Sequence, residues 1–121
     1  KCSVMASMKV NKKTVNRWGI FSKKKNISKN NFYIDDVVEK PTIKSAPSNN
    51  AVIGRYILPK KIFTKLKNQK KGKGGEIHIT DSIRQLINEG EKFIAHNFDG
   101  KYLDCGTMTG YIKSSIEVSK K

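Results

Sequence analysis

The sequence predicts an α/β fold with a mixed sheet and flanking helices. Short runs of alternating or β-branched apolar residues are separated by stretches whose apolar residues recur at helical spacing. With 121 residues, 36% of them hydrophobic and 29% charged, the chain has about the length and composition of one folded domain, which excludes a largely disordered protein. No apolar run reaches the roughly 18 residues of a membrane-spanning helix, and the first residues lack the pattern of a secretion signal. We therefore expect a cytoplasmic protein.

The first half of the chain has the pattern of strands joined by polar segments. Alternation over residues 1–10 predicts a strand, and a strand at residue 1 without an initiator Met suggests a chain cut from something longer. The segments that follow are a short polar turn or helix over 12–18, a brief extended piece over 19–22, a charged loop over 23–31, a strand over 32–39, a loop over 42–50 and a mostly buried strand over 51–58.

The second half of the chain alternates helices and strands. Pro59 suits the first turn of a helix in which Ile62, Phe63 and Leu66 share a face, and a flexible basic loop over 67–75 follows. Thr80 or Asp81 is expected to cap the next helix, and Gly90 to end it. Its buried stripe is Ile83, Leu86 and Ile87.

After this helix the sequence predicts a hairpin and a last helix. The hairpin consists of a strand over 92–98, a turn at Asp99-Gly100 and a partner strand over 101–104. From Thr107 onward, the apolar residues fall at helical spacing. They are Met108, Tyr111, Ile112 and Ile116.

The formal net charge is +15. Such a charge suits a polyanion-binding surface, but 22 of the 25 basic residues are lysines, whereas nucleic-acid readout favours the planar arginine side chain. Lysine, asparagine and isoleucine are abundant together and share A/T-rich codons, so genome composition is the simpler explanation of the charge. A lysine-rich module that binds RNA or another polyanion stays as an alternative, and Phe32-Tyr33 is the only adjacent aromatic pair that would support it.

Three short motifs carry candidate chemistry. Glu39-Lys40-Pro41 closes a strand, where a carboxylate can accept hydrogen bonds from sugar hydroxyls and an ammonium can neutralise a phosphate, although a solvated ion pair would look the same. Asp104, between a strand end and a helix start, is either a Mg²⁺ ligand or, like Thr107, a helix cap. The glycine-rich run 72–75 lacks the spacing of a phosphate-binding loop and is interpreted as a mobile surface loop.

The cysteines and histidines give weaker signals. Cys2 and Cys105 are far apart and belong to no metal-ligand cluster, so neither a disulfide framework nor a zinc site is indicated. Cys105 is expected to be a buried small hydrophobe. His78 and His96, both placed on alternating strands, are expected to serve packing or the surface.

Taken together and in order, the motifs resemble the C-terminal part of bacterial UTP glucose-1-phosphate uridylyltransferases, in the sugar-nucleotidyltransferase superfamily. The resemblance covers essentially the whole chain, with Asn50 and Met108 departing from the usual Leu and Lys. The motifs are Trp18-Gly19-Ile20, Val38-Glu39-Lys40-Pro41, Ala46-Pro47-Ser48-Asn49, the run VIGRYIL over 52–58, the run GEIHITD over 75–81, Asp104-Cys105-Gly106 and Gly110-Tyr111.

This resemblance implies a Rossmann-like, GT-A-like nucleotidyltransferase fold, of which residues 1–121 would be the C-terminal, sugar-phosphate-binding part. The N-terminal half, with a GxGTR loop for the UTP phosphates, would be absent, and this chain alone inactive. The implied reaction joins UTP and glucose-1-phosphate into UDP-glucose and pyrophosphate. A sister thymidylyl- or adenylyltransferase is the nearest alternative.

The resemblance also implies roles for four residues of this chain. Gly19 would lie against the sugar, Glu39 would bind glucose hydroxyls and Lys40 would hold the sugar phosphate. Asp104 would be the second acidic residue at a Mg²⁺ cofactor. At full length a homo-oligomer is implied, with no nucleic-acid or membrane partner.

Overall fold

The structure, a computed structural model, describes residues 2–120 and contains five strands and three α-helices in that range. The predicted strands over 32–39, 51–58 and 92–98 are confirmed within a few residues, and so is the strand over 1–10 apart from Lys1, which lies outside the described residues. The strands are β1 (Ser3–Lys9), β2 (Gly19–Asn26), β3 (Asn31–Glu39), β4 (Asn50–Ile57) and β5 (Phe93–Asn97). The α-helices are α1 (Lys61–Asn68), α2 (Ile79–Asn88) and α3 (Met108–Ser119), with 3-10 helices at Lys12–Arg17 and Lys73–Gly75.

The sheet is mixed and closes on itself in the order β1, β4, β2, β3, β5. Only the pairing of β1 with β5 is parallel, and the other four are antiparallel. Gly19 and Glu39 are register partners in the pairing of β2 with β3. The start of β2 and the end of β3 therefore lie side by side, at the rim where the functional site is described below.

The main core lies between the sheet and the helices α1 and α2. The rings of Phe21 and Phe32 pack edge to face there, with centroids 6.3 Å apart. β1 turns its less apolar face inward, since Ser3, Met5 and Ser7 are the buried residues of its alternation. The other core residues are Ile34, Val37, Val52, Ile62, Ile83, Leu86, Phe93 and Ala95.

The predicted charged loop over 23–31 is wrong over its first four residues. β2 continues through this stretch to Asn26 and pairs with β3, with register shifts between Ser22 and Lys25. The extension carries no buried residue, so the apolar alternation that marks a strand is missing from the sequence. A tight turn then joins the strands, in which the backbone N–H of Ile27 donates to the carbonyl of Asn31 at 2.9 Å.

The predicted hairpin partner over 101–104 is also wrong. β5 already pairs with β1 on one side and β3 on the other, so its edges offer no free hydrogen-bonding groups to a third strand. Residues 101–106 run instead as irregular chain.

The three α-helices form where the apolar spacing predicts them, but two of their faces differ from expectation. In α1, Ile62 is buried while Phe63 is 72% exposed, because it lies about 100° around the helix from Ile62. In α3, the predicted apolar face is exposed throughout, with Met108 75% exposed. Among residues 2–120, no helix combines the length and hydrophobicity needed to span a lipid bilayer.

Candidate functional site

A cavity of about 490 Å³ opens at the rim of the sheet, between the start of β2, the ends of β3 and β4 and the start of α2. Two of the four predicted site residues, Gly19 and Glu39, line it together. Its volume is in the range of small-molecule sites. The remaining lining residues are Arg17, Trp18, Val52, Ile53, Gly54, Arg55, Tyr56, His78, Ile79, Thr80, Tyr102 and Leu103.

Three side chains pack closely around the Cα of Gly19 because this residue has no Cβ. A Cβ built there would lie 3.1 Å from Glu39 Oε2, 3.2 Å from Thr80 Cγ2 and 3.3 Å from Val52 Cγ2. All three distances are tighter than ordinary carbon contacts. A glycine at the start of β2 therefore allows the Glu39 carboxylate to sit against the backbone at the cavity wall.

The Glu39 carboxylate is held from α2. Thr80 donates a hydrogen bond from Oγ1 to Glu39 Oε2 at 2.8 Å, across 41 residues of sequence. The expectation that Thr80 or Asp81 caps α2 is wrong, since the helix begins at Ile79 with His78 as its N-cap residue. Thr80 lies inside the first turn, and its hydroxyl faces the carboxylate.

Lys40, the third predicted site residue, follows Glu39 but does not line the cavity. It is exposed, and its φ of 43° places it in the left-handed region, which costs a residue with a side chain about 1–2 kcal/mol. Its N–H donates to the Trp18 carbonyl at 2.9 Å, and its carbonyl accepts from the Lys73 ammonium. Backbone strain held in this way is a feature of ligand-binding sites.

The run 72–75, predicted to be a surface loop, is exposed and forms one turn, in which the Gly75 N–H donates to the Gly72 carbonyl at 3.0 Å and Gly74 has a φ of 75°. Through Lys73 it contacts the backbone of Lys40, a contact that the sequence does not indicate.

Sequence reasoning missed the aromatic wall of the cavity. Trp18 and Tyr102 pack edge to face with ring centroids 5.3 Å apart, and Tyr56 lies beside them. Burial, and then the negative charge of Glu39, raise the pKa of the Tyr56 phenol above its ordinary value, so it stays neutral at physiological pH. The one sequence feature that these three aromatic residues share is a nearby glycine, since Trp18 precedes Gly19 and the two tyrosines each follow a glycine by two residues.

Asp104, the fourth predicted site residue, lies outside the cavity, although its neighbour Leu103 lines it. The cap of α3 belongs to Thr107, whose Oγ1 accepts from the Gly110 N–H at 3.0 Å. Asp104 is half-buried, and its Oδ1 accepts from the Gly106 N–H at 2.9 Å. Within residues 2–120, no three His, Cys, Asp or Glu side chains cluster as a metal site. From this chain, Asp104 could supply at most one carboxylate ligand.

The remaining candidates have structural roles or different positions. Cys105 is exposed, contrary to the expectation of burial, and lies in the irregular segment that precedes α3. His78 is not on a strand, and its Nε2 lies 2.8 Å from the Lys73 carbonyl. His96 is on β5 as predicted, with Nδ1 2.8 Å from Asn31 Oδ1.

The aromatic pair that would support polyanion binding does not form a stacking surface. Phe32 is buried in the core, whereas Tyr33 points to the opposite side of β3. The Lys23 ammonium lies 5.0 Å from the centroid of the Phe32 ring.

These features define a sheet-rim cavity of the kind that holds a polar small molecule, next to a basic residue. The chain belongs to the nucleotidyl transferase family, whose model matches residues 2–121. It is 40% identical over 115 residues to a UTP–glucose-1-phosphate uridylyltransferase of Pseudomonas aeruginosa, covering 95% of this chain and 40% of that protein. It is 38% identical to the enzyme of the same name from Mycoplasma pneumoniae, covering 99% of this chain and 42% of that one.

Solved structures agree with the family. A UDP-glucose pyrophosphorylase complexed with UDP-glucose matches with a TM-score of 0.91 and 41% identity, over 98% of this chain and 44% of that one. A putative glucose-1-phosphate thymidylyltransferase from Bacillus anthracis, at 23% identity and a TM-score of 0.73, shares the fold, over all of this chain and 45% of that one. The predicted α/β nucleotidyltransferase fold is thereby confirmed. The chain spans about two-fifths of the length of the curated relatives it matches.

Proposed function

We propose that this chain forms the sugar-phosphate-binding part of an enzyme that makes UDP-glucose and pyrophosphate from UTP and glucose-1-phosphate. The observation that carries the proposal is the Glu39 carboxylate, held against Gly19 in a cavity whose volume is in the range of small-molecule sites. The names of relatives near 40% identity supply the substrate pair. The UTP-binding residues are then expected in the remainder of the intact protein, which makes residues 1–121 the C-terminal part of one nucleotidyltransferase domain.

Glu39 is proposed to bind the glucose hydroxyls. An ionised carboxylate only accepts hydrogen bonds, and its partners in a sugar are hydroxyl donors with fixed directions. An epimer with one displaced hydroxyl would leave the carboxylate without a hydrogen-bond partner. Such a loss discriminates between two substrates more strongly than a small difference in apolar contact does. Gly19, which lines the same cavity, would lie against the sugar and allow this carboxylate to sit close to the backbone.

Lys40 is proposed to hold the phosphate of the sugar. The left-handed backbone and the contacts of its N–H and carbonyl fix the main chain of Lys40, while the residue is exposed and directly follows the cavity residue Glu39. A lysine ammonium binds phosphate as a point charge, so its orientation matters less than that of a planar, bidentate guanidinium. It would neutralise the attacking phosphate when that group approaches the negatively charged triphosphate.

In the proposed reaction, a phosphate oxygen of glucose-1-phosphate attacks the α-phosphorus of UTP in line. The new phosphorus–oxygen bond forms as the bond to the β-phosphate oxygen breaks, and pyrophosphate leaves with that electron pair. Phosphoryl chemistry of this type depends on positioning and neutralisation of charge. This chain would contribute both through Glu39 and Lys40, and no protein nucleophile is required.

Mg²⁺ is proposed as the cofactor, with Asp104 as its one ligand from this chain. Mg²⁺ is commonly bound through one or two carboxylates together with substrate phosphates, so a single carboxylate fits that chemistry. When bound, the ion would neutralise phosphate charge. A homo-oligomer of the intact protein, its location in the cytoplasm and the absence of nucleic-acid and membrane partners stay predictions.

The test is nucleotide-sugar formation by the intact protein, meaning this chain together with the rest of its nucleotidyltransferase domain. We expect pyrophosphate release with glucose-1-phosphate and UTP, and much less with dTTP or ATP. Preference for dTTP or ATP would instead assign one of the sister activities. We expect no product from residues 1–121 alone, and UDP-glucose formed by that chain alone would contradict the division of substrates proposed here.

The role of Glu39 is tested by its Ala variant in the intact protein. We expect the preference for glucose-1-phosphate over galactose-1-phosphate to fall by about tenfold or more, as expected when a polar site loses its recognition of one hydroxyl. Glu91→Ala, which removes a carboxylate that pairs with Lys61 beyond the C-terminal end of α2 and does not line the cavity, is the matched control. An unchanged preference in Glu39→Ala would show that Glu39 does not read the sugar.

A further inference from the structure

We propose that Thr80 is a positioning residue for sugar recognition, which holds one oxygen of the Glu39 carboxylate and leaves the other for a substrate hydroxyl. The inference rests on the proposed function, because it concerns how the same carboxylate is aimed. It adds a specificity-determining residue that does not itself need to touch the sugar.

The contact between the two side chains is short and protected from water. Thr80 Oγ1 lies 2.8 Å from Glu39 Oε2, and Thr80 is only 4% exposed. A hydrogen bond to an ionised acceptor is roughly twice as strong as one between neutral groups, and burial limits competition from water. The Glu39 carboxylate is therefore anchored at one oxygen.

The Thr80 hydroxyl has no other use in the described part of the chain. Thr80 occupies the second residue of α2, yet it makes no capping bond to the backbone among residues 2–120. The N-cap residue, His78, makes no side-chain cap bond either. A threonine that served only the helix would bond to a backbone group, whereas this one bonds to Glu39 alone.

The second oxygen of Glu39 is left available. Among the described residues, Oε1 of Glu39 accepts no hydrogen bond, and Glu39 takes part in no salt bridge. Glu39 lines the cavity, so this acceptor is accessible to a ligand there. A charged acceptor without a protein partner suits a neutral donor such as a sugar hydroxyl.

Steric contacts fix the direction of the pair. The Thr80 methyl and the Val52 side chain both approach the space above Gly19, within 3.2 and 3.3 Å of where a Cβ would stand. Threonine is β-branched and has few χ1 rotamers, so its hydroxyl cannot swing freely away from the carboxylate. Recognition depends on such preorganisation, since a misdirected acceptor must first be ordered by the substrate.

The experiment compares Thr80→Val and Thr80→Ser in the intact protein. Valine keeps the shape and removes the hydroxyl, whereas serine keeps the hydroxyl. Thr64→Val, an exposed threonine on α1, is the matched control. For each variant we would measure KM and kcat with glucose-1-phosphate and UTP, the preference over galactose-1-phosphate, and Tm.

For Thr80→Val we expect KM for glucose-1-phosphate to rise by about tenfold, in line with the loss of one charge-assisted hydrogen bond. We also expect a weaker preference for glucose-1-phosphate and an unchanged KM for UTP. Thr80→Ser and Thr64→Val should both stay near the wild type. This split between the two substrates, and its rescue by serine, would not follow from a general loss of structure.

Two results would overturn the role of Thr80. One is a Thr80→Val protein with unchanged KM for glucose-1-phosphate and unchanged sugar preference. The other is a Thr80→Ser protein that is as impaired as Thr80→Val while retaining its Tm. A wild-type protein that forms no nucleotide sugar would overturn the proposed function, and the inference with it. Failure of the proposed function is therefore seen in the wild-type protein, whereas failure of the inference alone is seen in the Thr80 variants. If Thr80→Val lowers Tm strongly, a wild-type-like Thr80→Ser still supports the role of the hydroxyl.

Discussion

The cavity region and the C-terminal segment 104–119 are held together in opposite ways. Around the cavity, the contacts join residues far apart in sequence, as in the hydrogen bond between Thr80 and Glu39. In the C-terminal segment, Asp104 bonds to Gly106 two residues away and to Ser114 ten residues away. The first region is built by the tertiary fold, and the second by local structure.

This difference bears on two sites that a nucleotidyltransferase needs, one for the sugar and one for a metal ion. A sugar site needs acceptors with fixed directions, and the proposed acceptor, Glu39, is fixed by long-range contacts around Gly19 within this chain. A metal ligand needs partners around the same ion, and Asp104 has no acidic cluster in the described residues. We infer that the sugar site is formed by this chain itself, while a metal site at Asp104 would take its other ligands from outside this chain in the intact protein.

The largest expected difference concerns stability. Ile83 on α2 is fully buried, whereas Ile112 on α3 is 51% exposed. We expect Ile83→Ala to lower the free energy of unfolding by about 2–5 kcal/mol, because it leaves a cavity in the core. The same truncation at Ile112 should change it by less than about 0.5 kcal/mol. Urea unfolding of this chain measures both values.

The same pair of variants in the intact protein would sharpen the comparison. A loss above about 2 kcal/mol for Ile112→Ala there, and not in this chain, would mean that another part of the protein covers α3. Equal losses at both positions in this chain alone would contradict the exposed arrangement of α3.

The apolar periodicity predicted the elements but not the surroundings of their faces. α2 and α3 both show apolar residues at helical spacing, yet only the stripe of α2 packs against the sheet. Periodicity reports which residues share a face and carries no information about what covers that face. The same limit explains why the second half of β2 was predicted to be a loop. The exposed end from Lys23 to Asn26 lacks apolar alternation and owes its conformation to pairing with β3.

The candidate site was predictable only through the set of motifs that suggested a family. Glu39 and Gly19 lie in separate motifs of that set, and the register between β2 and β3 brings them together. Thr80 lies in the run 75–81, but the resemblance implied no role for it, and a threonine near the start of a helix is usually interpreted as a cap. Its hydrogen bond to Glu39 depends on how α2 docks on the sheet, which no local pattern contains.

The second prediction tests the exposed lysine beside the cavity. In the intact protein, we expect Lys40→Ala to lower kcat/KM for glucose-1-phosphate by about 10- to 100-fold, the effect of losing one charged contact to a phosphate. Lys71→Ala should have little effect, because that side chain is exposed in the basic loop and its charge is screened by salt. Steady-state kinetics at two salt concentrations measures both effects.

Lys71 is a better control than Lys73. The Lys73 ammonium contacts the Lys40 carbonyl, so its loss could disturb the strained backbone at Lys40. Equal effects of Lys40→Ala and Lys71→Ala would make Lys40 an ordinary surface residue and remove it from the proposed site.

The smallest expected effect concerns Asp104, where the metal role and the structural role use the same carboxylate. Asn can accept the Gly106 N–H as Asp does, so Asp104→Asn should retain the local turn and the Tm of the intact protein. Asn lacks the negative charge that holds a hard cation, so we expect lower turnover and about tenfold more Mg²⁺ at half-maximal rate. Thr107→Ala, which removes the cap of α3 and no charge, is the control that should lower Tm without changing the Mg²⁺ requirement. Normal turnover with an unchanged Mg²⁺ requirement in Asp104→Asn would assign this carboxylate to the turn alone and leave Glu39 and Lys40 as the charged groups of the site.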